Sequence, residues 1–289
     1  MNISYLGNVK VGLGETVKLI AAINLSPESF FSGSVIIKKS LLVEKVLSDI
    51  HEGASIIDLG GMSTAPYKNT FVSEEIELDR ILWALNEIKN FDIKVEISVD
   101  TQRSKIMEES LKKGATIIND ISGLSDKNAV KIIKDYNASL ILCAAGNAHD
   151  VQDPIGFVVN NINNSLNVAL NSGIEPNKIV IDPAIGFFRN SRLPSHEWDT
   201  TVIANIENIK KRLKFPILIG VSRKSFIGIL TKEDDPSKRL AGSLAAAAIS
   251  VINGADAIRT HDISETAKAI KVAEHIRSKI GFKNKIKYL

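Results

Sequence analysis

Eight places along the chain carry polar side chains at the carboxyl end of a short apolar run: Asn24, Asp58, Asp100, Asn119, Asp182, Ser222 with Arg223 and Lys224, Arg259, and His261. Carboxylates accept hydrogen bonds from ring amino and N–H groups, whereas Arg and Lys donate to ring carbonyls or hold oxyanions. Arg259 and His261 stand two residues apart, so on a strand they share a side, and the pair suits a phosphate or diphosphate. Asn24 supplies a neutral oxygen, fitting a Mg²⁺ that keeps most of its waters and shares phosphate oxygens. Each position also has a plain structural use. An Asp after a strand often caps a helix, and Asp58, inside its run before Gly60 and Gly61, fits a buried structural carboxylate. The basic stretch SRKSFIG (222–228) fits a solvated turn, and His261 with Asp262 fits a loop pair. Capping alone would use Ser, Thr and Asn as readily as this Asp, Arg, Lys and His set. No nucleophile elbow, HExxH, Walker loop or GxGxxG follows a strand. The set points to recognition of a heterocycle edge beside an anionic leaving group.

Such residues meet only if the elements carrying them converge. The runs are VKLIAAIN (17–24), ASIIDLG (54–60), KVEISVD (94–100), ATIINDI (115–121), ASLILCA (138–144), KIVIDP (178–183), PILIGVS (216–222) and ADAIRTH (255–261). Each is nearly continuous in apolar residues, as parallel strands covered on both faces are. Amphipathic stretches lie between them, near 38–52, 73–90, 104–113, 126–136, 157–172, 198–213, 239–253 and 264–280. The phrases EGAS, KGAT and NGAD recur before strands, each with a Gly placed to end a helix in a left-handed cap. Eight βα units predict an α/β fold: one closed (β/α)8 TIM barrel spanning residues 1–289, with active groups at the carboxyl ends of its strands. Residues 1–16 are expected to form a hairpin over the barrel floor, with long connections at 144–156 and 188–198.

Composition narrows the function further. The chain has 289 residues, 44% hydrophobic, with 36 basic and 33 acidic residues and a net charge of +3. That balance lacks the strongly basic face of a nucleic-acid binder. The single cysteine, Cys143, leaves no intramolecular disulfide and no Cys metal cluster. The first residues lack a signal-peptide layout, and no apolar run approaches the roughly 20 residues of a membrane span, so a soluble cytoplasmic protein is expected.

The segments NLSPESF (24–30), DLGGMSTAP (58–66), SVDT (98–101), INDISG (118–123), IDPAIGF (181–187), GVSRKSFIG (220–228) and IRTHD (258–262) resemble, in order, the signature blocks of the dihydropteroate synthases. The resemblance covers about residues 18–275. It implies attack of an arylamine, p-aminobenzoate, on the methylene of a dihydropterin methyl diphosphate, with pyrophosphate leaving and Mg²⁺ assisting, as a step in folate biosynthesis. By motif position, Asp100, Asn119, Asp182 and Lys224 would hold the pterin. Asn24, Arg259 and His261 would hold Mg²⁺ and the diphosphate, with Asn24 as the metal ligand. Phe187, Thr64, Pro66 and Ser225 match positions that shape the arylamine site. The family also implies a homodimer formed through late helices, although the small-residue run SLAAAAIS (243–250) is expected to pack on the barrel itself.

Four blocks depart from the family pattern. GESTRP reads GMSTAP, so Met62 and Ala65 replace an acid and an arginine. SFSDGG reads SFFSGS, with Phe31 and Ser32 at the changed positions. The block after the fifth strand, LCAAGN, lacks a His, and DPGIGF has become DPAIGF with Ala184. The changes fall on loops expected to complete the arylamine site. They keep open a ribosylated arylamine phosphate acceptor, as in methanopterin-type cofactors, and a non-catalytic pterin binder. A corrinoid-linked pterin methyltransferase has no use for the Arg259 and His261 pair.

Overall fold

The computed structural model describes residues 3–27, 35–36, 38–63 and 72–280. A two-stranded antiparallel hairpin comes first, β1 (Ile3–Leu6) and β2 (Val9–Gly12). Eight parallel strands follow: β3 (Lys18–Asn24), β4 (Ala54–Gly60), β5 (Glu96–Asp100), β6 (Ile117–Asp120), β7 (Ser139–Cys143), β8 (Ile179–Asp182), β9 (Leu218–Gly220) and β10 (Ala257–Thr260). They pair in the order β8-β7-β6-β5-β4-β3-β10-β9. The ends of that order meet where Ile181 N–H donates to the Pro216 carbonyl at 3.0 Å, which brings the sheet to near closure as a TIM barrel. All eight strands fall within the runs legible in the sequence.

Among the described residues ten helices surround the barrel: α1 (Lys39–His51), α2 (Glu74–Asn90), α3 (Ser104–Lys112), α4 (Ala129–Asp135), α5 (Pro154–Asn171), α6 (Ser195–Ala204), α7 (Ile206–Leu213), α8 (Ser225–Thr231), α9 (Leu240–Ile252) and α10 (Ile263–Lys279). Their apolar stripes and the outward residues of the strands form the main core. The single helix expected over 198–213 is two. Asn205 breaks it, with φ −113° and ψ 20° and its side-chain amide bonded to the Thr201 carbonyl at 2.9 Å. An Asn that binds nearby backbone competes with the helical ladder. Gly53, Gly114 and Gly254, from the recurring EGA, KGA and NGA phrases, have φ of 108°, 108° and 107°. Nothing crowds a Cβ at any of them, so backbone conformation alone selects glycine there. In α9, Ser243, Ala246, Ala247 and Ser250 face inward, as expected for small residues packed on the barrel.

Strand alternation sorts the barrel interior by height. Ile20, Ile56, Ile117, Ile141, Val180, Leu218 and Ala257 form an apolar floor, sealed by Leu6 and Val11 of the hairpin. Two residues further along the same strands come Ala22, Asp58, Asn119, Cys143, Asp182, Gly220 and Arg259, and a further two bring Asn24, Gly60, Ser222 and His261. The hairpin turn is pinned as well: Gly7 N–H donates to Ser139 Oγ at 3.0 Å, and the Asn8 amide donates to Glu96 at 2.6 Å. Leu6 is fully buried. Leu6→Ala is therefore expected to cost about 2–5 kcal/mol in denaturant unfolding. A loss below about 1 kcal/mol would show that the hairpin rests on the barrel without plugging it.

Candidate active site

The upper interior opens into a cleft of about 970 Å³, its open mouth included. Asn24, Asp100, Asn119, Asp182, Phe187, Lys224, Ser225, Arg259 and His261 all line it. Thr64 and Pro66 lie outside the described residues, as do Phe31, Ser32 and Ala65.

Arg259 organises the base of the cleft. Its Nε donates to Asp58 Oδ2 at 2.6 Å and its Nη2 to Asp100 Oδ2 at 3.1 Å, while Nη1 makes no hydrogen bond among the described residues. Asp58 is fully buried in the same layer as Arg259 and also accepts from the Asn119 amide at 3.2 Å. It is structural, as its place in the run suggested, yet it sets both Arg259 and Asn119. Asp100 Oδ1 is buried with no donor among the described residues. Burial raises the Asp100 carboxyl above the ordinary carboxylate range, against the pull of Arg259. Cys143, missed as a site residue, lines the wall and donates weakly from Sγ to Asn119 Oδ1 at 3.7 Å. Its position two residues after Ile141 was the available signal.

Asp182 spends one oxygen on the Ala184 N–H, at 2.7 Å. Ala184 has φ 60°, a left-handed conformation that costs an L residue on the order of 1–2 kcal/mol. The Asp182 bond helps hold that turn without the glycine expected there. Burial lifts Asp182 to about 6. Gly186 N–H donates to Asp199 of α6 at 2.8 Å, and burial raises Asp199 to about 6 as well. A Cβ on Gly186 would sit 2.9 Å from Lys224 Cδ, so glycine admits the lysine stem at this point. Behind the turn, Trp198 packs at 5.2 Å from Phe188 and 5.5 Å from Phe157. Lys224 Nζ lies 4.6 Å from the Phe187 ring centroid, and burial lowers its pKa.

At the other side, His261 Nδ1 is 2.9 Å from Ser222 Oγ, and its Nε2 is 3.3 Å from the Asn24 amide nitrogen. Burial, then the repulsion of Arg259 and Lys224, lowers His261 to about 3, so the ring is neutral at pH 7. A neutral ring that accepts from Asn24 at Nε2 carries its proton on Nδ1 and donates it to Ser222.

Arg223 turns away from the cleft, against the expectation that the adjacent cations act together. With φ 54°, it sends its guanidinium back to Asp262 at 2.9 and 2.7 Å and to the carbonyls of Pro236 and Ser237. It ties the loop after β9 to the start of α10, and Asp262 pairs with it rather than with His261. Near Met62, Arg103 pairs with fully buried Glu77 at 2.7 Å, and its Nη2 lies 3.8 Å from the Met62 sulfur. Arg189 was not anticipated. It lines the cleft two residues after Phe187, donating from Nε to the Gly186 carbonyl at 3.1 Å and from Nη2 to Ser225 Oγ.

The family model described as pterin binding enzyme matches residues 20–261. A dihydropteroate synthase of Clostridium beijerinckii is 32% identical over 94% of this chain and 98% of its own. The solved dihydropteroate synthase of Coxiella burnetii, in complex with pteroic acid, is 29% identical with a TM-score of 0.84, covering 96% of this chain and 99% of that one. That of Xanthomonas albilineans, with 4-aminobenzoic acid, is 27% identical with a TM-score of 0.83, covering 95% and 98%. With a polar cleft at the strand ends and similarity along nearly its whole length, this chain belongs to the dihydropteroate synthase family of pterin-binding enzymes.

Proposed function

We propose that the chain joins a dihydropterin methyl diphosphate to p-aminobenzoate and releases pyrophosphate, a step of folate biosynthesis. The observation that carries the pterin half is the wall formed by Asp100, Asn119, Asp182 and Lys224. Asp100 Oδ1 is a buried acceptor without a donor among the described residues, a costly arrangement that a ring amino or N–H group relieves. Asp182 accepts from the same donor-rich edge, and Lys224 donates to the ring carbonyl and nitrogen. Ile121 and Cys143 give the ring plane an apolar lining.

In the reaction the arylamine nitrogen lone pair attacks the methylene carbon. The carbon–oxygen bond to the diphosphate breaks, its electron pair leaves with the oxygen, and the amine proton passes to solvent. An arylamine is neutral at pH 7, so no general base is required. Arg259 Nη1, His261 and Asn24 face the leaving group; the Arg259 charge favours departure of an anion, and the neutral His261 and Asn24 position it. Among the described residues no three His, Cys, Asp or Glu side chains gather as a metal cage. A Mg²⁺ would be held here by the Asn24 amide oxygen and would supply charge neutralisation at the leaving diphosphate. The chain also forms a homodimer in this reading, supported by the exposed Ile249, Val272 and Ile276 of α9 and α10.

The experiment is pyrophosphate release by the purified chain from dihydropterin methyl diphosphate, with p-aminobenzoate or its ribosyl phosphate derivative as acceptor. Release with p-aminobenzoate, abolished by chelation and restored by Mg²⁺, is the expected result. Release with the ribosylated acceptor alone would move the chain to a methanopterin-type role, and tight pterin binding without release from either would make it a binder.

A further inference from the structure

The corner after β10 is fixed from several sides. The Thr260 hydroxyl accepts from Asp262 N–H at 3.2 Å, Asp262 pairs with Arg223 at 2.7 Å, and the His261 ring lies between Ser222 and Asn24. The His261 carbonyl takes its donor from another element. Lys45 Nζ, on α1, donates to it at 3.4 Å and also bonds Asp49, one turn along the helix. Both residues stand behind the corner and outside the cleft lining. A lysine and an aspartate four residues apart on a helix are commonly a solvated pair of little consequence. This pair is set inward: Asp49 keeps 3% of its surface exposed and the Lys45 side chain 33%. Asp49 Oδ2 is buried without a hydrogen-bond partner among the described residues, and burial raises the Asp49 pKa against the pull of Lys45. The fold thus keeps a cation where holding its counter-ion is costly. That cation is also felt at the imidazole. After burial, Arg259, Lys224 and Arg223, it is the next influence lowering the His261 pKa. Lys45 therefore reaches the leaving-group side of the cleft through the His261 backbone and through its charge.

We propose that Lys45 is a positioning residue for the diphosphate: from α1 it fixes the His261 carbonyl and adds positive charge behind the imidazole, so that the cleft favours a pterin carrying a diphosphate over one without it. This rests on the transferase reading given above, in which His261 faces the leaving group. A charge set behind one residue, out of contact with the anion, still lowers the anion's energy where solvent is partly excluded.

The test uses the full chain and two ligands, the dihydropterin methyl diphosphate and the hydroxymethyl dihydropterin that lacks the diphosphate, each titrated by fluorescence. The unsubstituted chain is expected to bind the diphosphate more tightly. In Lys45→Met that preference, expressed as the ratio of Kd values, falls about 3–10-fold, the scale of one charge acting across a partly aqueous gap. The fall lies in Kd for the diphosphate, while Kd for the hydroxymethyl pterin moves far less. Lys45→Arg, which keeps the charge and a donor, recovers most of the ratio. Asp49→Asn removes the counter-charge, leaves Lys45 in place and keeps the ratio. Where Lys45→Met alone fails to fold, Lys45→Met with Asp49→Asn, which leaves no buried charge unpaired, carries the same comparison. An unchanged ratio without Lys45 overturns this assignment and leaves the transferase reading intact. Equal losses on both ligands, or a fall in Asp49→Asn as large as in Lys45→Met, also overturn it, since they show that the pair only braces α1 against the barrel. A parent chain that binds both pterins alike and releases no pyrophosphate overturns the transferase reading and this assignment with it.

Discussion

Arg259→Met is expected to destabilise the fold by about 3–5 kcal/mol near pH 8, the cost of breaking a buried ion pair from one side. The guanidinium lies between Asp58, which has no exposed surface, and Asp100, at 2.6 and 3.1 Å. Removing it leaves two buried carboxylates close together with no cation bonded to either. The loss should depend on pH in a definite direction. Burial already places Asp100 above its ordinary pKa in the folded chain, and losing Arg259 raises it further. A group raised by folding supports the fold at pH values below its unfolded pKa, and that support is lost as pH rises through the folded one. The deficit of the variant is therefore largest at pH 8 and shrinks towards pH 5, where Asp100 takes up its proton. Urea unfolding of both proteins at the two pH values measures it. The double variant Arg259→Met with Asp58→Asn should regain part of the lost stability, because the charge left behind is then gone. An equal, small cost at both pH values would mean that solvent screens the cluster. Diphosphate binding should weaken in the same variant, so stability and affinity need separate measurement.

That cluster was partly legible in the sequence. Strands covered on both faces read as continuous apolar runs, and a polar residue at the end of such a run stands out. The two-residue period then fixes which residues share the interior: Ala257, Arg259 and His261 follow it, as do Val180 and Asp182. Asp58 follows it too, two residues after floor residue Ile56, and the same rule would have tied it to Arg259. Other features carry no local signal. Arg223 and Lys224 are adjacent cations, and only the left-handed backbone at Arg223 turns one into the loop and leaves the other in the cleft. Arg189 and Asp199 come from a long connection and a helix, where no strand period applies. The break at Asn205 rests on one side-chain bond to a carbonyl, against an apolar pattern that continues through it.

Asp182→Asn is expected to weaken pterin binding about 100–1,000-fold, with a smaller effect on stability. The substitution preserves shape, and the amide oxygen can still accept from Ala184 N–H, which Asp182 binds at 2.7 Å. The other atom changes from a charged acceptor to an NH₂ donor, which then meets the ring's own donors. One charge-assisted bond is worth about 1.5–3 kcal/mol, and leaving buried donors unmatched adds to the loss. The pH profile separates this from a mere change of shape. Burial raises Asp182 to about 6, so the free protein increasingly holds it protonated as pH falls below that value. A ligand that needs the ionised form then loses about tenfold in affinity per pH unit. Binding to the unsubstituted chain should therefore decline on the acid side of pH 6, with part of that slope contributed by Asp182 and absent from the Asn variant. Fluorescence titration with the dihydropterin diphosphate between pH 5 and 8 measures both. If the two proteins have parallel profiles, the acid limb belongs to Asp100 or to the ligand itself. If Asp182→Asn also binds as tightly as the parent, this carboxylate serves the turn at Ala184 and not the pterin.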